Sequence, residues 1–356
     1  MPSRLRIAVT AAVAALVATA VLAGCGSSSS SSSTSGGSET SQQIGSGGDP
    51  LIVYSGRSEE YVGPALEAFS KESGVPLQVR YGDSIDLGLL IGEEGDKTPA
   101  KVFLAQSPGP MAYLAQKDLL EKLPQATLDK VAPRFRADDG RWVGVTGRQR
   151  VLIYNTDLVK PADLPGSVFD LTKAEYKDKV AVAPTNSSFQ DFVTAMTQLK
   201  GADATKQWLE GMAANGAKAY AKNDAIADAV ARGEIPFGLV NHYYYNEVKK
   251  KDPQAPVGIY RFPGNDPGSL FLVSTASIPT AAGNDPDALK LIDFMLSPEG
   301  QAVFVAGEGE YPVVAGVRQK SGQPSLAQLS YPTYDLSKLT DLKQTAQMIQ
   351  ESGIGG

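Results

Sequence analysis

Short apolar runs alternate with segments of helical periodicity through the first part of the chain. "LIVYSG" is a β-branched run typical of a buried strand, and "EYVGPALEAFSKESG" places apolar residues at helical spacing before a terminal glycine. "PLQVRY" alternates as a strand does, and "DSIDLGLLIGEEG" predicts a helix opened by Asp83 or Ser84. The strand "KVFLAQS" and the helix "PGPMAYLAQKDLL" complete a β-α-β-α-β-α order, which is typical of a parallel sheet with helices on both faces.

The alternation then restarts. "WVGVTG" and "RVLIYN" predict two further strands with Arg148 between them. Strands in "KVAVAP", "AKAY", "IPFGLV" and "SLFLVSTAS" alternate with helical segments, one or two helices follow in "DPDALKLIDFMLSPEGQAVF", and a last helix lies in 336–351. Two α/β units of similar size therefore predict an α/β protein with two lobes.

Ligand-binding residues are expected directly after strands, because α/β sheets bind ligands in the crevice at the carboxyl ends of their strands. Four polar stretches have this position: "SGRSEE", "AQSPGP", "PTNSSF" and "NHYYYN".

The most unusual of these stretches holds three consecutive tyrosines, Tyr243–Tyr245. A phenol has a pKa of about 10 and stays neutral alone, but a strongly charged cation stabilises phenolate, a hard donor suited to ferric iron. In a regular strand neighbouring side chains point to opposite faces, whereas at a strand-to-helix junction they can converge. Asn241 is a candidate N-cap for such a helix. The alternative is that the tyrosines are packing aromatics of the core.

"PTNSSF" places Asn186, Ser187 and Ser188 just before a predicted helix, where backbone N–H groups and hydroxyls can cradle an anion. Ordinary N-capping by Ser187 or Ser188 explains the same residues without a ligand. Arg148 can pair with such an anion in bidentate geometry, or it can form a salt bridge on the surface or between the lobes.

The N-terminus has the pattern of a targeting segment. Arg4 and Arg6 precede an apolar stretch too short for a comfortable transmembrane helix, which ends in "LAGC" at Cys25. This ending resembles a bacterial lipobox, so Cys25 is expected to be lipidated; the alternative is an ordinary secretory peptide. The Ser/Gly-rich stretch that follows predicts a flexible tether.

Composition removes several classes of function. The 356 residues carry a net charge of −6 with no long basic run, so nucleic acid is not expected as a partner. The single cysteine excludes a disulfide within the mature chain. An exported hydrolase is disfavoured because the chain has no G-x-S-x-G motif and His242 is its only histidine. We expect His242 to be a hydrogen-bonded structural residue, and we expect no enzyme activity.

Several longer stretches resemble the periplasmic ferric-iron-binding proteins of ABC importers: "VYSGRSE", "GVTGRQRVLIYNTDLV", "APTNSSFQDFV", "AYAKNDAIADAVARGEI" and "LVNHYYYNEV". They cover nearly all of residues 50 to 320. The resemblance implies a type II periplasmic-binding fold, in which each lobe is a mostly parallel sheet flanked by helices and hinge strands join the lobes. The implied division is a signal peptide at 1–25, a tether at 26–49, an N-terminal lobe of 50–147 plus 273–320, and a C-terminal lobe of 148–272 plus 321–356.

The resemblance also implies a site. Tyr243 and Tyr244 match the family's iron-binding pair, which leaves Tyr245 as packing. The family's anion, carbonate or phosphate, would be held by Arg148, Asn186, Ser187, Ser188 and Asn223. Some members have a ligand histidine where this chain has Ser58, and many have a carboxylate where it has Gln106 and Ser107. Ser58, Glu59, Gln106 or water is expected to take these positions.

The expected function is capture of Fe³⁺ between two lobes and its delivery to an ABC permease and its ATPase. The protein would be an extracytoplasmic monomer, lipid-anchored to the cell membrane. The alternative is a related binding protein that has lost iron and holds an anion or a small organic ligand.

Overall fold

The computed structural model describes residues 40–283, 285–307, 309–339 and 342–355. The predicted signal peptide and the lipidation site Cys25 lie outside these residues. No helix within the described ranges is long and apolar enough to cross a membrane.

Within the described residues, eleven strands form a mixed sheet in the order β1-β3-β2-β4-β10-β5-β8-β6-β7, with β9 and β11 also paired to β5. The strands are β1 (Thr40–Ile44), β2 (Leu51–Ser55), β3 (Leu77–Tyr81), β4 (Val102–Ala105), β5 (Val143–Asn155), β6 (Val180–Val182), β7 (Lys218–Ala219), β8 (Phe237–Asn241), β9 (Val257–Tyr260), β10 (Phe271–Ser277) and β11 (Tyr311–Pro312).

The helices cover the segments whose apolar residues recur with helical periodicity. They are α1 (Glu59–Ser73), α2 (Ser84–Glu94), α3 (Pro108–Gln116), α4 (Gln125–Leu128), α5 (Ser187–Lys200), α6 (Ala202–Ala214), α7 (Asn223–Ala231), α8 (Tyr243–Lys251), α9 (Pro286–Met295), α10 (Pro298–Ala306) and α11 (Leu342–Glu351). The predicted boundaries of α1 and α2 have clear physical causes. Gly74 ends α1 in the left-handed conformation at φ 73°, and the Asp83 side chain caps α2 by accepting from the Ile85 N–H.

The parallel pairings lie toward the two ends of the sheet. β2 is parallel to β3 and β4, while β6 is parallel to β7 and β8. Between them, β5 and β10 run antiparallel to their neighbours. The predicted α/β class is therefore confirmed, and the central strands make the sheet mixed.

One long strand replaces the two that the sequence predicts around Arg148. β5 is continuous because it changes partners: it pairs with β10 up to Gln149 and with β8 from Arg150 onward. Each half of the strand thus satisfies its backbone groups with its own partner strands. Arg148 consequently lies inside a strand that joins two halves of the sheet.

The predicted tether is wrong at its C-terminal end. Residues 40–44 form β1, which pairs antiparallel with β3 at the edge of the sheet. The segment is polar because only one of its residues, Ile44, is buried, so it lacks the apolar run of an interior strand.

Candidate functional site

The tyrosine pair lies at the junction of β8 and α8. β8 ends at Asn241, and the helix starts at Tyr243, so the backbone turns between neighbouring side chains. The rings of Tyr243 and Tyr244 converge to 4.6 Å between centroids, and both residues are buried. The predicted convergence is therefore present. Tyr244 lines a cavity of about 770 Å³.

Asn241 does not cap the helix as predicted. The N-cap position is His242, whose side chain makes no capping bond. Asn241 is instead the last strand residue, and its amide donates a 3.2 Å hydrogen bond to the Tyr243 hydroxyl oxygen. The amide therefore fixes the direction of that phenol.

Tyr245 lies apart from the pair. It lines a separate cavity of about 310 Å³ together with Asn246, Ile259 and Arg261. His242 borders the same cavity and is fully buried. Its Nδ1 accepts from the Gln149 N–H at 3.2 Å, and its Nε2 lies 3.0 Å from the Gly309 carbonyl, which only accepts. His242 is thus a neutral, hydrogen-bonded structural residue, as predicted.

The Tyr244 phenol resists ionisation. Burial raises the pKa of Tyr244 well above 10, and the neighbouring Tyr243 and Glu247 raise it further. A bound metal ion reverses this preference, because its charge stabilises the phenolate form. Tyr244 therefore ionises readily only beside a strongly charged cation.

Five buried charged side chains surround the tyrosines: Arg57, Arg148, Arg150, Asp191 and Glu310. All three arginines lie close enough to Tyr243 for the phenol to influence the pKa of the guanidinium group. Three guanidinium groups face two carboxylates, so these five buried groups have an excess of one positive charge; the half-buried Glu247 carboxylate near Tyr244 is not one of them. Such an excess favours a bound anion.

Arg148 carries the unmatched charge. Its nearest acid is Asp191, at 3.9 Å, and none of its three guanidinium nitrogens donates a hydrogen bond to any residue that the structure describes. Burial lowers the pKa of Arg148 and raises that of Asp191 to about 6. Buried donors without acceptors are rare and costly, so this side chain is suited to a ligand.

The other two arginines have partners. Arg57 forms a 2.8 Å ion pair with Glu310, and Arg150 donates to the Leu239 carbonyl at 2.8 Å. Sequence reasoning missed both arginines, because nothing in the pattern shows that a charged residue in "SGRSEE" or on β5 is buried.

The predicted anion residues come together at the start of α5. Asn186 is the N-cap, in place of the predicted Ser187 or Ser188, and its side chain accepts from the Ser188 N–H. Asn223 donates at 3.1 Å to both Asn186 and Ser188, and its own Oδ1 has no partner among the described residues. Arg150 reaches Ser188 at 3.4 Å. The cradle is thus continuous with the arginines on β5.

The three predicted contacts from the first half of the chain line the same cavity as Tyr244: Ser58, Glu59 and Gln106. Gln106 accepts a hydrogen bond from Ser187, which crosses from β4 to α5. Glu59 accepts from Gln42 at 2.7 Å. The described residues contain no group of three or more His, Cys, Asp or Glu side chains that could hold a metal.

Residues 97–338 match the family of bacterial extracellular solute-binding proteins. The chain belongs to this family. As a member it is a binding protein and not an enzyme, and the family acts outside the cytoplasm.

Two curated relatives of this solute-binding protein are named for ferric iron. The Fe(3+)-binding periplasmic protein of Serratia marcescens is 30% identical over 315 residues, covering 88% of this chain and 93% of the relative. The major ferric iron-binding protein of Neisseria meningitidis serogroup A is 30% identical over 310 residues, covering 85% and 93%.

Iron-bound HitA from Pseudomonas aeruginosa has a similar structure, with a TM-score of 0.82 at 30% identity, covering 86% of this chain and 99% of HitA. The fold is the two-lobed type II periplasmic-binding fold, as predicted. The continuous strand β5 passes between its two halves.

Proposed function

We propose that this solute-binding protein captures Fe³⁺ through Tyr243 and Tyr244, together with an anion bound beside Arg148. The observation that carries the proposal is the convergence of two buried phenols next to a buried guanidinium that donates no hydrogen bond. The relatives named for ferric iron support it.

The charges of this arrangement balance. Fe³⁺ and Arg148 supply four positive charges, which two phenolates and a doubly charged carbonate neutralise. Phosphate in its doubly charged form fits equally. Asn186, Ser187, Ser188 and Asn223 would hold the anion through hydroxyl, amide and backbone N–H groups at the start of α5.

The proposed mechanism is closure of one lobe on the other about β5 and β10, without bond chemistry. Ser58, Glu59 and Gln106 line the same cavity as Tyr244, and Gln106 already accepts a hydrogen bond from Ser187 at the start of α5. Delivery would be to an ABC permease and its ATPase. Lipidation at Cys25 and the lobe boundaries given above remain predictions.

Titration of the purified apoprotein with ferric citrate tests the proposal. Phenolate-to-iron charge transfer should give a visible band at one iron per protein. Tyr243→Phe with Tyr244→Phe should abolish the band, while Tyr245→Phe serves as the matched control and should keep it. A colourless wild-type protein, or a double variant as coloured as the wild type, would refute the proposal.

A second function is favoured by the excess positive charge: binding of an anion or a small organic ligand without iron. Isothermal titration of the apoprotein with inorganic phosphate in iron-free buffer separates the two. Micromolar binding of phosphate by a protein that stays colourless with ferric citrate would support this second function.

A further inference from the structure

A third phenol, Tyr61, reaches the tyrosine pair from the other half of the molecule. Tyr61 lies in the first turn of α1, which follows β2. Helical side chains lean back toward the helix N-terminus, and the N-terminal end of α1 borders the cavity. Tyr61 therefore extends into the same space as Tyr244, whose cavity it lines.

The contacts of Tyr61 cross between the halves. Its ring centroid is 5.4 Å from that of Tyr243, and its hydroxyl donates a 2.8 Å hydrogen bond to the Glu247 carboxylate. Glu247 follows Tyr243 by one turn of α8, so the two side chains share a face of that helix. The guanidinium of Arg57 lies 5.2 Å from the Tyr61 ring.

Tyr61 is held in a defined direction by three neighbours of different kinds: an aromatic ring, a carboxylate and a cation. The Tyr61 ring packs against the apolar cluster that contains Tyr243 and Tyr244, but its hydroxyl faces a carboxylate, which apolar packing alone does not require. Tyr61 is half-buried at the cavity, with its oxygen directed toward α8.

We propose that Tyr61 supplies an oxygen ligand to the iron from the N-terminal lobe, and that Glu247 is the positioning residue that aims it. This inference rests on the proposed function. On binding, the Tyr61 O–H bond breaks, the proton leaves to solvent, and the phenolate oxygen bonds Fe³⁺. The site would then draw three phenolates from two elements, α1 and α8, which already lie in contact, and a singly charged anion would complete the charge balance with Fe³⁺ and Arg148.

The central test compares Tyr61→Phe with the wild type in the ferric titration. Loss of one of three phenolates should remove about a third of the visible absorbance per bound iron. Iron affinity should fall at least about tenfold, which corresponds to ~1.4 kcal/mol. The matched control is Tyr245→Phe, which should retain both absorbance and affinity.

Two substitutions of Glu247 separate positioning from coordination. In Glu247→Gln the amide oxygen can still accept from Tyr61, so this variant should keep both the absorbance per iron and the iron affinity, whereas Glu247→Ala removes the acceptor and should bind iron less tightly at the same absorbance per iron. An iron-soaked crystal structure of the wild type gives a second readout that needs no variant, and it should show the Tyr61 oxygen bonded to iron.

The outcomes distinguish this inference from the proposed function. A coloured wild type together with an unchanged Tyr61→Phe variant would overturn the role of Tyr61 alone and leave the Tyr61–Glu247 bond as a contact between lobes. A colourless wild type would instead refute iron binding itself.

Discussion

The stability of the apoprotein should fall below pH 6.5 because of its single histidine. Burial lowers the pKa of His242 to about 3, and the nearby Arg261 and Arg148 act in the same direction against the Gly309 hydrogen bond. In the unfolded chain the imidazole has its ordinary pKa of about 6.5. Between these values the unfolded state binds a proton that the folded state does not, so stability rises with pH in this window and is lost as pH falls.

The size of the stability loss follows from the pH range between the folded and unfolded pKa values of His242. Each pH unit contributes ~1.4 kcal/mol, so the full window is worth at most about 5 kcal/mol, and about 2 kcal/mol is lost between pH 7 and pH 5. His242→Gln is the matched variant, because an amide can accept from Gln149 and donate to Gly309 without titrating.

The assay is urea denaturation of the iron-free protein at pH 7, 6 and 5, in a form without a histidine tag. The wild type should lose about 2 kcal/mol more unfolding free energy than His242→Gln over this range. Because the chain has one histidine, its imidazole proton resonances can also be followed by NMR and should not move between pH 5 and 8. Parallel stability curves, or an imidazole that titrates near pH 6.5, would refute the reasoning.

Three further substitutions test the buried charged side chains near the tyrosine pair and the packing of β5. Arg148→Met should weaken ferric binding at least about tenfold, because it removes the buried guanidinium whose nitrogens donate to no described residue. Glu310→Gln should cost about 3–5 kcal/mol of unfolding free energy in urea, because it leaves the buried Arg57 without its counter-charge. Gly147→Ala should lower stability by about 1–3 kcal/mol, because a Cβ on β5 would overlap the Phe271 ring.

Controls for these variants are available in the chain. Asp287→Asn breaks an exposed ion pair with Lys290 and should change stability by less than about 1 kcal/mol in the same urea assay. A loss as small as this for Glu310→Gln would contradict the buried-pair argument. Unchanged iron affinity in Arg148→Met would contradict an anion at that side chain, and a fully stable Gly147→Ala would contradict close packing at the strand.

The tyrosine site was predictable because its geometry is local. Tyr243 and Tyr244 follow a short apolar strand directly, and the change from strand to helix is enough to bring neighbouring side chains together. The cluster at Asn186 was predictable for the same reason, although the capping residue itself differs by one position.

The parts that failed depend on partners distant in sequence. The sequence around Arg148 predicts two strands, yet β5 continues through this residue because it pairs first with β10 and then with β8. Tyr61 contacts Glu247, which lies 186 positions further along the chain, and helical periodicity cannot predict a contact between such distant residues. β1 is polar because it is an edge strand, so its sequence resembles the tether before it.

The most direct measurement of the central claim is an anomalous difference map at the iron absorption edge from crystals soaked in ferric citrate. We predict one peak in the cavity, within bonding distance of the Tyr243 and Tyr244 oxygens, with a bound anion between the iron and Arg148. A peak away from both phenols would contradict the claim. The absence of any peak, together with a protein solution that stays colourless when iron is added, would also contradict it.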